Sequence, residues 1–592
     1  MGRYLKSLLS VLLVVVMLVG CAPTSSDPAK TTGSAPTEST TAPSITEPSE
    51  TEPSETEPSV TEPTEPPVTV RPSLEERLAS YSALGTSPDD NYRTWYEIFV
   101  YSFCDSNGDG IGDLQGVISK LDYLEELGIN GIWLMPIHPS TSYHKYNVDD
   151  YYAIDPTYGT MADFDQLMAE CEMRGIKVIL DLVVNHSGNN NPWFTEAVEY
   201  LQSLGLGEFG LEEECKYFGY YNFVESSNNP GRGYGKVAGT MYHYECQFSG
   251  DMPDLNWENE AMREDVKQVM KFWLDKGVAG FRVDAAKEFY TGNVTKNVEV
   301  MRWLQETATS LKSDAYMVAE VWETNYTLIA QYYESGFTSI FNYPFGNYSG
   351  KLIQVVNGRG NPAMVQTWAT ALQTVHRGYS GANPNFIDAP FLSNHDVLRI
   401  ADCVSNDEYR IKMAGAMNLF MSGSAFVYYG EEIGMAGNGD KDSDPSKRAP
   451  MYWNADRDDG TTMKPPGCVL PTNGYPMGSL EEQRQDENSV YNYYREAIAI
   501  RQALPVISHG VTTAETTLNL GCVSAMRKTW GEEECIILMN IDANEEGAKV
   551  DLSAYADWQL VASLSANGEN ITLSGSELSM PAFGIAVLIP NN

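Results

Sequence analysis

Basic residues are scarce in this 592-residue chain: 39 Lys and Arg stand against 80 Asp and Glu, for a net charge of −41. A surface that negative repels phosphate backbones, so no nucleic-acid partner is expected. Histidine is rarer still, with 7 copies, and the 9 cysteines form no CxxC pair and no zinc-like spacing with histidine. That excludes a structural zinc site by the usual motifs, and eight dispersed cysteines besides Cys21 fix no disulfide pairing. Long apolar runs are missing too. The longest is shorter than the roughly 20 residues that span a bilayer, so no transmembrane helix is predicted. What the chain has in quantity is apolar residues, 42% with 11% aromatic. That suffices for a large core, and the length implies two to four domains.

The first 20 residues read as an address. Arg3 and Lys6 precede an apolar stretch, 8–19, broken only by Ser10, and the stretch ends Leu18-Val19-Gly20-Cys21. This is the layout of a signal peptide. Its end resembles the bacterial lipobox, which implies a diacylated Cys21 as the mature N-terminus. The expected location is therefore the extracellular face of a bacterial cell membrane, held by the lipid alone. Residues 21–90 are assigned to the lipidated cysteine and a linker. Thr, Ser, Pro and Glu dominate its first fifty residues, in repeats such as Thr46-Glu47-Pro48-Ser49. Nothing there can build a core, and proline with like charge favours an extended tether.

From about Tyr92 the pattern alternates between strand and helix. Short apolar runs occur at 95–103, 131–135, 176–184, 280–283, 316–321, 339–341, 387–392 and 425–429. Helical periods lie between several of them, as in Met262, Val266, Met270, Trp273 and in Phe164, Leu167, Met168, Cys171. Eight strand candidates with helical returns point to an α/β fold, a (β/α)8 TIM barrel built from 91–186 and 251–504, although doubly wound sheets alternate in the same way and the spacing alone does not decide between them. Residues 187–250, rich in Gly, Asn and aromatics and without clear helical period, are an insertion, the B domain, after the third strand. Loops that long are usually functional. Residues 505–592 show short β runs and predict a C-terminal all-β sandwich.

Charged groups gather where a barrel places its chemistry, at the C-terminal ends of strands. The third candidate strand carries Asp181 and ends at Asn185-His186. The fourth reads Gly280-Phe281-Arg282-Val283-Asp284-Ala285-Ala286-Lys287, the fifth ends Ala319-Glu320-Val321-Trp322, and the seventh ends Ser393-Asn394-His395-Asp396. One charged strand end is usually only solvated. Several in order can supply the paired carboxyl groups, about 5–5.5 Å apart, that cleave a glycosidic bond with retention.

These four segments resemble the ordered sequence regions of the α-amylase family of glycoside hydrolases (family 13), and Met252-Pro253-Asp254-Leu255-Asn256 resembles a fifth. The likeness runs from about Tyr92 to the C-terminus. It is to members intermediate between the oligo-1,6-glucosidase and neopullulanase types. It implies Asp284 as nucleophile, Glu320 as general acid/base, and Asp396 as a third carboxylate that binds sugar hydroxyls. Arg282 lies two residues before Asp284, hence on the same strand face, where its charge would keep Asp284 ionised. His186 and His395 would hydrogen-bond the sugar at the cleavage point, and Tyr146 would be its aromatic platform. Lys287 and Glu288 would line the neighbouring sugar site, and Glu288 departs from the histidine common there. In related enzymes a small residue such as Ala285 goes with α-1,4 linkages and valine with α-1,6. The implied substrate is starch, glycogen or maltooligosaccharides. The alternatives are an α-glucosidase, neopullulanase or transglycosylase of the same family, or a non-catalytic glycan-binding lipoprotein. No protein partner is identified.

One loop has the chemistry of a metal site. Asp105, Asn107, Asp109 and Asp113 place oxygen donors at alternate positions among glycines, and the Ile111 carbonyl would add another. Hard cations such as Ca²⁺ want six to eight oxygens on a tightly curved loop. The spacing resembles the start of an EF-hand, though no helix is predicted before it. It also resembles the calcium loop after the first barrel strand in related enzymes. Asn185 and Asp254 match positions that hold a second calcium in classical α-amylases.

Overall fold

The computed structural model describes residues 71–591 apart from 206–207, 359–360, 473 and 543–544. The signal segment, Cys21 and most of the tether lie outside the described residues. Seven parallel strands form one sheet. They are β1 (Thr94–Ile98), β2 (Gly131–Leu134), β3 (Lys177–Leu182), β4 (Gly280–Val283), β5 (Tyr316–Ala319), β6 (Ser339–Ile340) and β7 (Ala425–Tyr428). Their order is β7-β1-β2-β3-β4-β5-β6. The ring closes through residues 389–391, where Phe341 bridges Ala389 and Phe391 bridges Phe426, both in parallel sense. The eighth strand position is thus held by single bridges. The architecture is a (β/α)8 barrel. The first apolar run splits: β1 stops at Ile98, and Val100–Phe103 turns into a short helix.

Parallel strands buried on both faces read as continuous apolar runs. β2, β4, β5 and β7 are buried at every position. The outer helices show the three-and-four spacing of a one-sided core. Glu260–Asp275 buries Met262, Val266, Met270 and Trp273. Met161–Met173 buries Phe164, Leu167 and Cys171, and starts at a capping box between Thr160 and Asp163 that satisfies its first free N–H groups.

Two segments differ from their sequence reading. Leu74–Ser82, assigned to the linker, is a helix opened by a Ser73–Glu76 capping box. Arg77 on this helix donates to buried Glu496 at 2.7 and 3.0 Å, which ties it to the helix Val490–Ala503. The insertion also holds a helix, Pro192–Ser203, with Asn191 as cap and Phe194, Ala197 and Leu201 buried. Its remainder is a small antiparallel sheet of Phe223–Glu225, Tyr242–Glu245 and Tyr234–Lys236.

The C-terminal domain is all-β. A five-stranded antiparallel sheet has the order Val511–Ala514, Val523–Trp530, Glu533–Asn540, Gly584–Pro590, Trp558–Ser565. Alternation along its strands sends Ile536 and Leu538 toward Val550, Leu578 and Met580 of a three-stranded sheet. Ile537 and Met539 point the other way, into the barrel's core cluster. Among the described residues all eight cysteines are unpaired, and no helix is long and apolar enough to cross a membrane.

Candidate active site

Strand register sets the site. Gly280 pairs with Tyr316, and a side chain there would start 1.8 Å from the Tyr316 carbonyl oxygen, so only glycine allows this approach. Three residues on, Val283 pairs with Ala319. The next residues, Asp284 and Glu320, therefore leave neighbouring strands side by side. Ala285 follows with φ +47°, a left-handed conformation that costs a non-glycine residue roughly 1–2 kcal/mol. The turn aims the Ala285 N–H at Glu320 Oε2, 2.9 Å away.

Arg282 is the hub. Its side chain is 1% exposed; Nη1 lies 2.6 Å from both Asp181 Oδ1 and Asp284 Oδ1, and Nη2 lies 3.0 Å from Glu320 Oε2. The guanidinium sits 5.2 Å from the Trp133 ring centre and 5.7 Å from that of Tyr146. A planar fork with fixed charge is suited to hold several carboxylates at once. Burial pushes the Glu320 carboxyl up, Arg282 opposes it, and Asp284 and Asp396 add to the rise. Burial likewise pushes Asp181 up, to about 7, against Arg282.

Asp396 stands across the opening. An Asn394 turn positions it, with the Asn394 side chain accepting the Asp396 and Val397 N–H groups at 2.8 and 2.9 Å. Arg448 Nη2 approaches Asp396 Oδ1 at 2.7 Å, and His395 Nε2 approaches Oδ2 at 2.9 Å. Burial alone would raise the Asp396 carboxyl, but His395 and Arg448 outweigh it and hold the group well below the usual carboxylate range. Nothing in the sequence marked Arg448, which comes from beyond β7, nor Glu97 on β1, which meets His395 Nδ1 at 2.6 Å.

The remaining candidates surround the same opening. Tyr146 stacks on His395, with ring centres 5.4 Å apart, and its hydroxyl donates to Asp181 at 3.1 Å. His186 Nε2 is 3.2 Å from the Tyr146 carbonyl oxygen, and burial lowers its pKa. Lys287 Nζ donates to the Trp322 carbonyl at 2.8 Å, and Glu288 accepts from Gln247 at 2.8 Å. Tyr146, His186, Lys287 and Glu288 line one cavity of about 850 Å³, together with Asp284, Glu320, Asp396 and the half-exposed aromatics Phe248, Trp322 and Tyr348. Arg282 and His395 stand behind that wall. The volume is at the upper end of the about 300–1,000 Å³ usual for ligand clefts.

The loop 105–113 has a different geometry. A short helix, Val100–Phe103, does precede it. The Asp105 carboxylate accepts the N–H groups of Asn107, Gly108 and Gly110, and Asp109 accepts that of Ile111. Asp113 caps the helix Leu114–Ser119 and takes donors from Ser106 and Asn107. The donors are all hard oxygens, as Ca²⁺ requires, and each carboxylate oxygen has a second lone pair. Among the described residues no group of three His, Cys, Asp or Glu side chains is arranged to hold a metal ion. At the second position Asn185 turns its NH₂ toward Asp254, 3.5 Å away, and burial pushes Asp254 up to about 7.

Comparison with known proteins places this arrangement. A family model described as "Alpha amylase, catalytic domain" matches residues 97–510. Alpha-amylase 3 of Dictyoglomus thermophilum is 39% identical over 420 residues, 70% of this chain and 78% of its own. An oligo-1,6-glucosidase of Parageobacillus thermoglucosidasius is 29% identical over 525 residues, 75% of this chain and 89% of its own. Among solved structures, Eubacterium rectale Amy13B is 40% identical with a TM-score of 0.82, covering 88% of this chain and all of its own. An α-amylase from H. orenii is 33% identical with a TM-score of 0.71, covering 85% of this chain and all of its own. The chain belongs to the α-amylase family of glycoside hydrolases.

Proposed function

We propose that the protein is an α-amylase that hydrolyses internal α-1,4-glucosidic bonds of starch, glycogen or maltooligosaccharides with retention. The observation that carries this reading is the single guanidinium of Arg282 bonded to both Asp284 and Glu320. One fork spanning both groups keeps them near neighbours, which supports a retaining path over one that needs room for water between them. Asp284 attacks the anomeric carbon while Glu320 gives its proton to the departing oxygen. Glu320 then takes a proton from water, which attacks the same carbon and releases the sugar with its configuration restored. The buried setting of Glu320 helps it hold the first proton. Asp396, kept ionised by His395 and Arg448, accepts sugar hydroxyls. Ala285 and the two α-amylase relatives favour α-1,4 over the α-1,6 linkage in the glucosidase names. Reducing-sugar release from soluble starch, maltotriose and pullulan tests this. Starch is expected to be cut to mixed oligosaccharides, and release of glucose alone from chain ends would overturn the endo-acting assignment.

We further propose a lipid anchor at Cys21, with the enzyme on the outer face of a bacterial membrane. The support is the segment Leu18-Val19-Gly20-Cys21 and the tether that follows it. Two acyl chains suffice for stable attachment where one does not. Cys21→Ser is expected to move the protein from the membrane to the soluble fraction, or leave it unprocessed, with kcat unchanged. A wild-type protein found wholly soluble on fractionation would refute the anchor.

Asp105, Asn107, Asp109, Asp113 and the Ile111 carbonyl would hold Ca²⁺, which supplies fold stability at the exit of β1. The support is the donor set, four oxygen-bearing side chains on one short turn. A cation would cancel the repulsion among three aspartates. Binding to the native state alone adds about 2.7 kcal/mol at 100 times Kd. EDTA is therefore expected to lower Tm, and Asp109→Ala to abolish that response. An unchanged melting curve in EDTA, with no metal found before or after, would show the loop to be an acidic turn.

A further inference from the structure

Glu97 has no place in the chemistry above, yet it is 1% exposed on the C-terminal half of β1 and directed at the site. Its Oε1 lies 2.6 Å from Nδ1 of His395, whose ring is fully buried. A carboxylate has only lone pairs to offer, so Nδ1 carries a proton. The other ring nitrogen, Nε2, has two neighbours: Asp396 Oδ2 at 2.9 Å and the Tyr146 hydroxyl at 2.7 Å. The Tyr146 proton has its own acceptor, Asp181 Oδ2 at 3.1 Å. A bare Nε2 would set a lone pair against the Asp396 carboxylate. With the Tyr146 proton on Asp181, a proton on Nε2 satisfies the Asp396 carboxylate, and the ring is then an imidazolium between two carboxylates.

We propose that Glu97 is a positioning residue that keeps His395 doubly protonated, so that Nε2–H stays directed at Asp396, the carboxylate that binds the sugar. This inference rests on the proposed glycosidase reading of the site. The other charged groups around the ring act in both senses. Arg282 and Arg448, the latter donating to the His395 carbonyl at 3.0 Å, are like charges that oppose the second proton, as is any charge on His144; burial pushes Glu97 itself up, and His395 and Arg282 pull it back toward the ionised form. Asp181 and Asp396 favour the second proton on His395. The Trp133 ring packs edge-on against the His395 ring, with centres 5.7 Å apart. Burial disfavours the charged ring, but Asp396 and Glu97 together outweigh it and push His395 up to about 9. Glu97 is thus one of two carboxylates that hold the charge, and the one that does not meet substrate.

The test uses the full chain carrying ¹⁵N-histidine, with the His395 signal identified by its loss in His395→Asn. In the wild type both ring nitrogens are expected to stay protonated from pH 5.5 to 8. In Glu97→Gln, which keeps shape but not charge, the ring is expected to turn neutral within that range. kcat/KM should then fall on the order of 30-fold at pH 7.5, the loss of one charge-assisted hydrogen bond, and recover at pH 5.5. Glu97→Asp keeps the charge and should retain the imidazolium and the wild-type pH profile even if turnover drops. It also serves if the glutamine variant fails to fold. Asp284→Asn should lose turnover while His395 keeps both protons, so an inert wild type with an intact imidazolium would count against the glycosidase reading alone. A neutral His395 in the wild type at pH 7 would overturn the proposal. So would a Glu97→Gln ring that keeps both protons, or a loss of activity equal at every pH.

Discussion

Asp284→Asn is expected to give a folded protein whose turnover of maltooligosaccharides is lower by about 10⁴-fold or more, and Glu320→Gln one lowered to a similar degree. Both changes keep side-chain shape. In the first variant the new amide oxygen can still accept from Arg282, which approaches the native Asp284 carboxylate at 2.6 Å, but it cannot bond to the anomeric carbon. In the second the new amide oxygen can still accept the Ala285 N–H, yet the side chain has no acid proton to give. The two variants should part company on substrates with a good leaving group. A nitrophenyl maltooligosaccharide needs little proton assistance to leave, so Glu320→Gln should recover much of its first-step rate and Asp284→Asn none. The alkaline side of the pH profile carries a further mark. Burial raises Glu320, against Arg282, so the group keeps its proton above the roughly 4.3 of an ordinary glutamate. The wild-type decline in kcat/KM should therefore begin at a correspondingly higher pH, and Glu320→Gln should abolish that limb. Steady-state kinetics on both substrate types, with circular dichroism to check the fold, decide the matter. Near-wild-type turnover of either folded variant on starch would sink the assignment.

What the sequence shows and what it hides follow from how far apart the partners are. Glycosidase-like carboxyl groups are legible because each ends an apolar run, and buried parallel strands advertise themselves as such runs. Asp284 and Glu320 are examples, one residue past β4 and β5. The groups that tune them are not legible. Arg448 is 52 residues from Asp396 and Glu97 is 298 residues from His395, and no spacing rule links them. The same distance hid the helix Leu74–Ser82. Its capping box is plain in Ser73 and Glu76, but its anchor, Glu496, is 419 residues from Arg77. A low-complexity segment just upstream made a continuing tether the simpler expectation. Pro192–Ser203 had a local signal: Asn191 as cap, proline in the first turn, and apolar residues three and four apart. Glycine-rich and asparagine-rich surroundings obscured it. Residues 387–392 erred in the other direction. An apolar run promises a strand, yet only Ala389 and Phe391 make the bridges that close the barrel.

Arg282→Met should lower kcat by about 10²-fold or more and destabilise the protein by about 3–5 kcal/mol at neutral pH, because it leaves buried carboxylates without their cation. Methionine fills much of the volume between Trp133 and Tyr146, so the effect is one of charge more than packing. Asp181, Asp284 and Glu320 would then share a site in which like charges cannot all ionise. Asp181 is already pushed up to about 7 with the guanidinium in place, by burial that Arg282 only partly offsets. Without it the cluster must keep protons at neutral pH. The sign of the pH effect follows. Carboxyl groups whose folded pKa lies above the unfolded value stabilise fully below about pH 4, and that contribution is lost as pH rises through the folded value. The gap in Tm between wild type and variant should therefore be smallest near pH 5 and widen toward pH 8. Activity should also need a higher pH, because the carboxyl cluster, without its cation, opposes every loss of a proton. Arg282→Lys keeps a charge but only one nitrogen, which cannot span Asp284 and Glu320 together, so it should fall between the two. Melting curves and pH–rate profiles from pH 5 to 8 separate the possibilities. A Tm deficit constant across that range, with the acid limb of kcat/KM unmoved, would show that Arg282 matters by its packing and not by its charge.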